Sequence, residues 1–409
     1  MTRILAYTSP ARGHLFPLVP ILDELAQRGH GIAVRTLASE VPLMHSRGFA
    51  AEPISAGVEA IHLEDWRAAS TQKALAASVA TFVQRAPFDA RDFERALRDE
   101  QPDVALIDIN SWGALTAAER WGGAWAAFSP YPLALRSRDV PPFGPGLAPA
   151  AGPLGRLRDA LLRPVVLGVI ERKMLPPLND VRKSMDRDPL RHFDELFRGA
   201  PLVLSMTAEP FEYHRDDWPD SVVMVGPCDW DPPAELPDWV QGLDGPLVLI
   251  TTSSEFQDDG RLVEVAIQAL ADSPYNVVAT VPSAQLRGPI PANVHVANFV
   301  PHGALLDRAV CAVTHGGMGA TQKALAHGVP VCAVPFGRDQ PEVARRVAVA
   351  GAGTRLPARR LTPQRLRSKI DDAIGMAPGA RRVADGFRAA GGPSAAATAV
   401  EQRLMSVAL

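Results

Sequence analysis

The stretch VCAVTHGGMGATQKALAHGVPVCAVPFGRDQ, residues 310–340, decides the fold class of this chain. Residues 310–314 are an apolar run that reads as a buried strand, and a glycine-rich turn, His315-Gly316-Gly317-Met318-Gly319-Ala320, follows directly. A helix comes next, then a second apolar strand over 329–334 and a polar loop that closes on Asp339-Gln340. Strand, turn, helix and strand in that order form the unit of a parallel sheet. Glycines at the mouth of a helix let backbone N–H groups close on a phosphate, and the helix dipole favours the anion there. A diphosphate ligand is therefore the first expectation. Glycine-rich turns by themselves mostly just turn the chain. The added weight comes from the order His-Gly-Gly, helix, Gly328-Val329-Pro330 and Asp339-Gln340.

The same alternation extends outward. Before the stretch, strands are expected at 247–251, 276–280 and 294–298, with a helix over 261–271. After it come alanine- and arginine-rich helices over 362–374 and 379–405, the second interrupted near 391–393. The first half repeats the pattern, with strands at 3–8, 32–36, 51–54, 104–107, 124–128 and 202–206. Helices fall at 16–28, 41–46, 71–86, 90–100, 114–121 and 157–185. Residues 140–155 (VPPFGPGLAPAAGPLG) are too rich in proline and glycine for a regular element. Residues 210–246 carry seven prolines and little apolar periodicity, which marks a boundary. The expected architecture is α/β, two doubly wound Rossmann-like domains facing across a cleft. The domains are 1–215 and 246–385, with a linker over 216–245 and a C-terminal helix over 386–409 placed to pack back on the first domain. Ligands of such sheets bind outside the carboxyl ends of the strands, so chemistry belongs in the cleft. Neither half carries Gly-x-Gly-x-x-Gly after its first strand, which argues against a nicotinamide enzyme.

Composition narrows the class. With 409 residues, two domains are the natural reading, and 21% charged with 47% hydrophobic residues is ordinary for a soluble protein. The net charge is 42 − 45 = −3 without a long basic run, so nucleic acid and anionic membranes are poor partners. Cys228, Cys311 and Cys332 are widely spaced and read as buried thiols, not as a disulfide frame or metal site. The N-terminus opens on a strand without the layout of a signal peptide, and the apolar stretch near 161–170 is too short to span a bilayer. A cytoplasmic protein is expected.

The first strand leads into Ser9-Pro10-Ala11-Arg12-Gly13-His14-Leu15-Phe16-Pro17, which puts His14 in a loop at a strand's carboxyl end, before a helix. A histidine there can serve as general base or can merely cap or pack. Asp108, at the end of strand 104–107, can accept a hydrogen bond from the far imidazole nitrogen and stabilise the imidazolium. No Gly-x-Ser-x-Gly elbow stands nearby, so a nucleophile would have to come from a substrate.

At this point the chain resembles a family: the family 1 glycosyltransferases of GT-B fold, in the bacterial branch that decorates antibiotics and other natural products. The resemblance spans nearly the whole chain and is weakest over 55–100. Gly13-His14-x-x-Pro17 is similar to the family's catalytic histidine motif, and Asp108 lies where its partner aspartate does. The turn His315, Gly316, Gly317, Met318, Gly319, Ala320 resembles the diphosphate-binding turn, and Asp339-Gln340 the pair that bonds hydroxyls of the donor sugar. Phe299 and Val300, with Pro301-His302, match the nucleobase segment; Thr252, Ser253 and Ser254 match a second phosphate-contacting loop. Residues 140–155 resemble an acceptor-side loop. One departure stands out: many members have a glutamate for ribose hydroxyls at the position of Lys323, and a lysine cannot accept those bonds. That favours a dTDP-sugar over a UDP-sugar as donor.

The resemblance implies an inverting transfer without metal or cofactor, from a nucleotide-sugar to a hydroxyl of a hydrophobic aglycone. His14 would be the base, and the helix start at His315 would stabilise the leaving diphosphate. Phe16, Trp112 and Phe143 are candidates for an apolar acceptor pocket, although aromatics in such places are as often core. Asp186-Arg187-Asp188 and Asp229-Trp230-Asp231 read as polar loop residues, His302 and His327 as ordinary surface or loop residues, and Arg12 and Arg338 as solvated charges. The partners are the two small molecules, with no nucleic acid, no membrane insertion and a homodimer left open. Three alternatives compete: a nucleotide-sugar 2-epimerase of the same fold, a non-catalytic helper subunit, and a transferase for a lipid acceptor. The last lacks an evident basic or apolar surface stretch.

Overall fold

Near-continuous apolar runs make strands that are buried on both faces, and such strands pair in parallel under helices. A computed structural model of the protein, describing residues 1–68, 71–150, 152–253, 259–281 and 289–405, has two such sheets. The first contains β1 (Arg3–Tyr7), β2 (Gly31–Thr36), β3 (Ala50–Pro53), β4 (Val104–Asp108), β5 (Ala124–Ser129), β6 (Leu202–Ser205) and β7 (Val222–Met224), in the order β3-β2-β1-β4-β5-β6-β7. The second contains β8 (Leu247–Thr251), β9 (Asn276–Thr280), β10 (Val294–Ala297), β11 (Ala309–Thr314), β12 (Val331–Ala333) and β13 (Gly353–Arg355), ordered β10-β9-β8-β11-β12-β13. Every pairing is parallel. Strand order reverses between β1 and β4 and again between β8 and β11, and a ligand crevice opens at such switch points.

Alternation along each strand divides the core into layers. In β1, Leu5 and Tyr7 face one cluster while Ile4 and Ala6 face the other; in β8, Leu247 and Leu249 divide in the same way from Val248 and Ile250. The last described segment, 392–405, packs against the first sheet's layer. The Gly392–Val400 helix puts Ala396, Ala397 and Val400 into the layer beneath the Arg12–Gln27 helix. Arg28 fastens it there, with Nη1 donating to Glu401 Oε2 at 2.7 Å.

Four features differ from the sequence reading. The Thr71–Glu100 helix runs through Pro87 instead of breaking at 86–90, where it packs closely on the Trp112–Trp121 helix; a Cβ on Gly113 would lie 1.8 Å from the Ala86 carbonyl oxygen. Residues 222–224, inside the proline-rich boundary, form edge strand β7 of the first sheet, too short to show a period of two. The Gly152–Ser184 helix begins inside the proline-rich loop and passes Pro164, Pro176 and Pro177. It also exposes Leu154 (82%), Leu157 (55%), Leu161 (64%) and Val165 (62%), an apolar stripe where none was expected, since sequence does not tell which helix face meets solvent. No helix among the described residues is long and apolar enough to cross a membrane.

Candidate active site

The β1–β4 switch point builds one half of the site. The Arg12–Gln27 helix starts from Ala11, so His14 belongs to its first turn and not to a preceding loop; Leu15 N already closes the turn on the Ala11 carbonyl at 3.2 Å. That turn aims the imidazole across to the end of β4. His14 Nδ1 lies 2.9 Å from Asp108 Oδ1, and Asp108 is fully buried. Ser9 donates to Asp108 Oδ2 from both its N–H (2.9 Å) and its hydroxyl (2.7 Å), and Asn110 N–H donates to Oδ1 at 2.9 Å. Burial alone would raise the carboxyl, but His14 and these donors outweigh it and hold Asp108 below the usual carboxylate range. An ionised Asp108 keeps the proton on Nδ1 and leaves Nε2 with its lone pair. The His14 side chain is 15% exposed, so a substrate can reach it.

Sequence reasoning missed three neighbours of this pair: Ser9, Asn110 and Tyr131. Asn110 Nδ2 lies 3.3 Å from His14 Nε2, and the Tyr131 hydroxyl donates to Asn110 Oδ1 at 2.8 Å. The signal was available. Each of them follows the carboxyl end of one of the adjacent strands β1, β4 and β5.

The β8–β11 switch point builds the other half. Gly316 has φ +84, which a side chain rarely tolerates, and its N–H is held by Thr314 Oγ1 at 3.0 Å. Gly317 is needed for a different reason: a Cβ there would sit 2.3 Å from His315 Nε2. Gly317 is the N-cap of the Met318–Ala326 helix and offers no capping side chain, so the first N–H groups of Met318, Gly319 and Ala320 lack intrahelical partners. His315 is buried, with Nδ1 3.9 Å from Asp259 Oδ2 and without a hydrogen-bond partner among the described residues. Burial, then the Arg338 charge, pulls the imidazole down to about 4, which keeps it neutral at pH 7.

Other expected donor residues divide. Ser253 N–H donates to Asp259 Oδ2 at 2.7 Å, and Ser254 lies outside the described residues. Phe299 is 46% exposed and its ring is available for stacking; Val300 is core and can offer only main chain. Asp339 is the N-cap of the Gln340–Val349 helix, yet its carboxylate makes no cap bond. Burial raises its carboxyl, and it stands within electrostatic reach of His14. Gln340 is buried, and its Oε1 accepts from Phe336 N–H (2.8 Å) and Gly337 N–H (3.0 Å), so it braces the loop that carries Asp339.

The acceptor candidates sit in three different settings. Trp112 is core against Phe82, Phe16 packs on Trp230 with ring centres 5.2 Å apart, and Phe143 is half-buried in the proline-rich loop. That loop is fastened to the second sheet's side: Gly144 and Gly146 N–H groups both donate to Glu342 Oε1 at 2.8 Å. Glu342 in turn pairs with buried Arg346, which Glu212 also holds at 2.8 Å.

Of the two arginines expected to be solvated charges, Arg338 is structural and Arg12 stays half-exposed in one ion pair. Arg338 makes a bidentate pair with buried Asp65, at 2.7 Å from Nη2, and Arg12 donates to Glu40 at 2.7 Å. The triplet Asp229-Trp230-Asp231 is a clamp on Lys323: Nζ reaches Asp229 Oδ1 (2.8 Å), Asp231 Oδ1 (2.7 Å) and the Trp230 carbonyl (2.7 Å). His327 bridges Asp307 (2.8 Å) and Asp229 (3.3 Å). His302 is pulled down to about 4 by burial and then Lys323, with Nε2 at 3.0 Å from Thr280 Oγ1. Sequence cannot pair residues about 90 positions apart without a fold to bring them together.

Comparison with known proteins shows the family and the fold of the chain. Residues 264–405 match the family described as erythromycin biosynthesis protein CIII-like, C-terminal domain. The chain is 34% identical to 4'-demethylrebeccamycin synthase of Lentzea aerocolonigenes over 90% of each chain. It is 28% identical to demethyllactenocin mycarosyltransferase of Streptomyces fradiae, over 100% of this chain and 88% of that one. Its fold matches the structure of the glycosyltransferase VinC in complex with dTDP at a TM-score of 0.70 and 22% identity, covering 99% of this chain and 100% of the other.

Proposed function

The chain belongs to the family of bacterial natural-product glycosyltransferases with the GT-B fold, and we propose that it moves a sugar from a dTDP-linked donor to a hydroxyl of a hydrophobic aglycone, with inversion and without a metal. The observation that carries this reading is the His14–Asp108 pair at one switch point, set in a fold whose other switch point ends in the His315 turn.

His14 Nε2 takes the proton of the acceptor hydroxyl as that oxygen attacks the anomeric carbon, and Asp108 stabilises the imidazolium that results. The bond from that carbon to the diphosphate oxygen breaks, and its electron pair leaves with the nucleotide. Helix-start N–H groups and a neutral His315 N–H meet the growing negative charge. A single displacement inverts the centre, so an α-linked donor gives a β-linked product. Asp339, whose carboxylate makes no cap bond, would accept from a sugar hydroxyl. The preference for dTDP rests on Lys323, whose ammonium is turned to the linker and cannot accept from ribose hydroxyls, and on the dTDP bound to VinC.

A coupled assay of nucleoside diphosphate release tests the reading. Release should require an aglycone and persist in excess chelator, and dTDP should raise the melting temperature more than UDP. Conversion of donor to an epimer without any acceptor would overturn it, as would full loss of turnover on chelation.

A further inference from the structure

We propose that Asn110, oriented by Tyr131, holds resting His14 as a neutral imidazole with its proton on Nδ1, and yields the Nε2 lone pair to the acceptor hydroxyl when the aglycone arrives. The inference rests on the reading of His14 as the base. It makes Asn110 and Tyr131 positioning residues for the proton transfer.

Hydrogen-bond direction fixes the tautomer. The Tyr131 hydroxyl donates to Asn110 Oδ1 at 2.8 Å, which turns the amide so that its NH2 faces His14. An amide NH2 can only donate. At 3.3 Å from Nε2 it therefore finds a lone pair, and the ring proton must sit on Nδ1, where Asp108 Oδ1 accepts it at 2.9 Å. Three bonds thus run one way, from phenol to amide to imidazole to a fully buried carboxylate. A proton on Nε2 would set two donors face to face. The backbone of Asn110 cannot drift away, because its own N–H is tied to Asp108 Oδ1 at 2.9 Å. Only the side-chain amide is left to move.

The surroundings make this restraint useful. Asp108 from the end of β4 lies 2.9 Å from Nδ1, Asp339 from the second sheet's side stands within electrostatic reach, and Tyr131, its ring centre 5.7 Å from that of His14, brings no charge while its hydroxyl is protonated. Arg338 acts on Asp339 and His315. Among the described residues the Asn110 amide is the one group hydrogen-bonded to Nε2, and as a donor it disfavours protonation there. When the acceptor hydroxyl approaches, it donates to the same lone pair and displaces the amide. Once the proton has crossed, Nε2–H no longer accepts from an amide N–H, so the restraint releases with the chemistry.

The test is the pH profile of kcat/KM for an aglycone in the wild type, Asn110→Ala, Tyr131→Phe and Asn110→Asp. Unchanged dTDP affinity in each variant serves as the check that it is folded. Removing the donor should raise the acid limb modestly in Asn110→Ala and less in Tyr131→Phe. Asn110→Asp puts an acceptor and a charge beside Nε2 and should raise it by roughly one to two units. Nitrogen-15 spectra of labelled histidine should show the Nδ1–H tautomer in the wild type at pH 7.5 and an imidazolium in Asn110→Asp. An acid limb that stays fixed in all three variants while the rate falls, or one that moves down in Asn110→Asp, overturns the inference. Undiminished activity in His14→Ala would instead overturn the underlying reading of His14 as base.

Discussion

The two switch points carry the same parts in opposite electrostatic states. Each places a histidine beside the start of a helix, just past a parallel strand, with an aspartate nearby. At the first, the aspartate is 2.9 Å from Nδ1 and ionised, so the imidazole can take on a proton. At the second, the aspartate stands 3.9 Å off and is already bonded to Ser253 N–H, the ring is buried, and Arg338 stands near enough to disfavour charge. On the proposed reading, one histidine changes its charge during the reaction and the other stays neutral. The two carboxylate contacts differ by about one ångström, and in the proposed mechanism that difference, together with burial, sets the two histidines apart.

The largest effect that sharpens this contrast is removal of the base. His14→Ala and Asp108→Ala should each lower turnover by about 10³-fold, with donor affinity retained, as read by nucleotide release at saturating donor. Equal losses of binding and turnover would erase the distinction. Next comes His315→Ala, which should lower turnover by about 10²-fold and weaken dTDP binding. Gly317→Ala should act in the same direction, since its Cβ would lie 2.3 Å from His315 Nε2 and push the ring aside.

Titration gives a third, smaller test. His315 and His302 are both pulled from the ordinary 6.5 to about 4, chiefly by burial. Below pH 6.5 the unfolded chain takes up protons that these folded rings refuse, so the unfolded state binds more protons and stability falls with falling pH. The contribution is whole above about 6.5 and is lost progressively as the pH drops toward 4. Thermal melts from pH 7.5 to 4.5 should show that decline, and His315→Phe should flatten it. The smallest effect belongs to the linker. Lys323→Met strands Asp229 and Asp231 and should cost about 1 kcal/mol, visible as a lower melting temperature with turnover largely kept.

Much of this was legible in the sequence because it is local. Apolar runs and glycine punctuation gave the strands around 104, 247 and 310, and His14, Asp108 and His315 could be placed by following each strand to its end. What stayed hidden depends on distant pairing. Lys323 looked like an anomaly until the fold brought Asp229 and Asp231 against it, and Arg338 looked solvated until Asp65 was found beneath it. Trp112 illustrates the converse: an aromatic near a site is apolar surface first, and its ring is core against Phe82, while half-buried Phe16 packs on Trp230. Asn110 was missed although it lies two residues past Asp108, because an amide advertises no chemistry until its bonding direction is known.

The division of labour between the two histidines is tested most directly by calorimetric titration of dTDP into wild type, His14→Ala and His315→Ala side by side. The account predicts that His14→Ala, though inactive, binds dTDP as the wild type does, while His315→Ala binds it about tenfold more weakly. Loss of dTDP affinity in His14→Ala, or full affinity in His315→Ala, would contradict it.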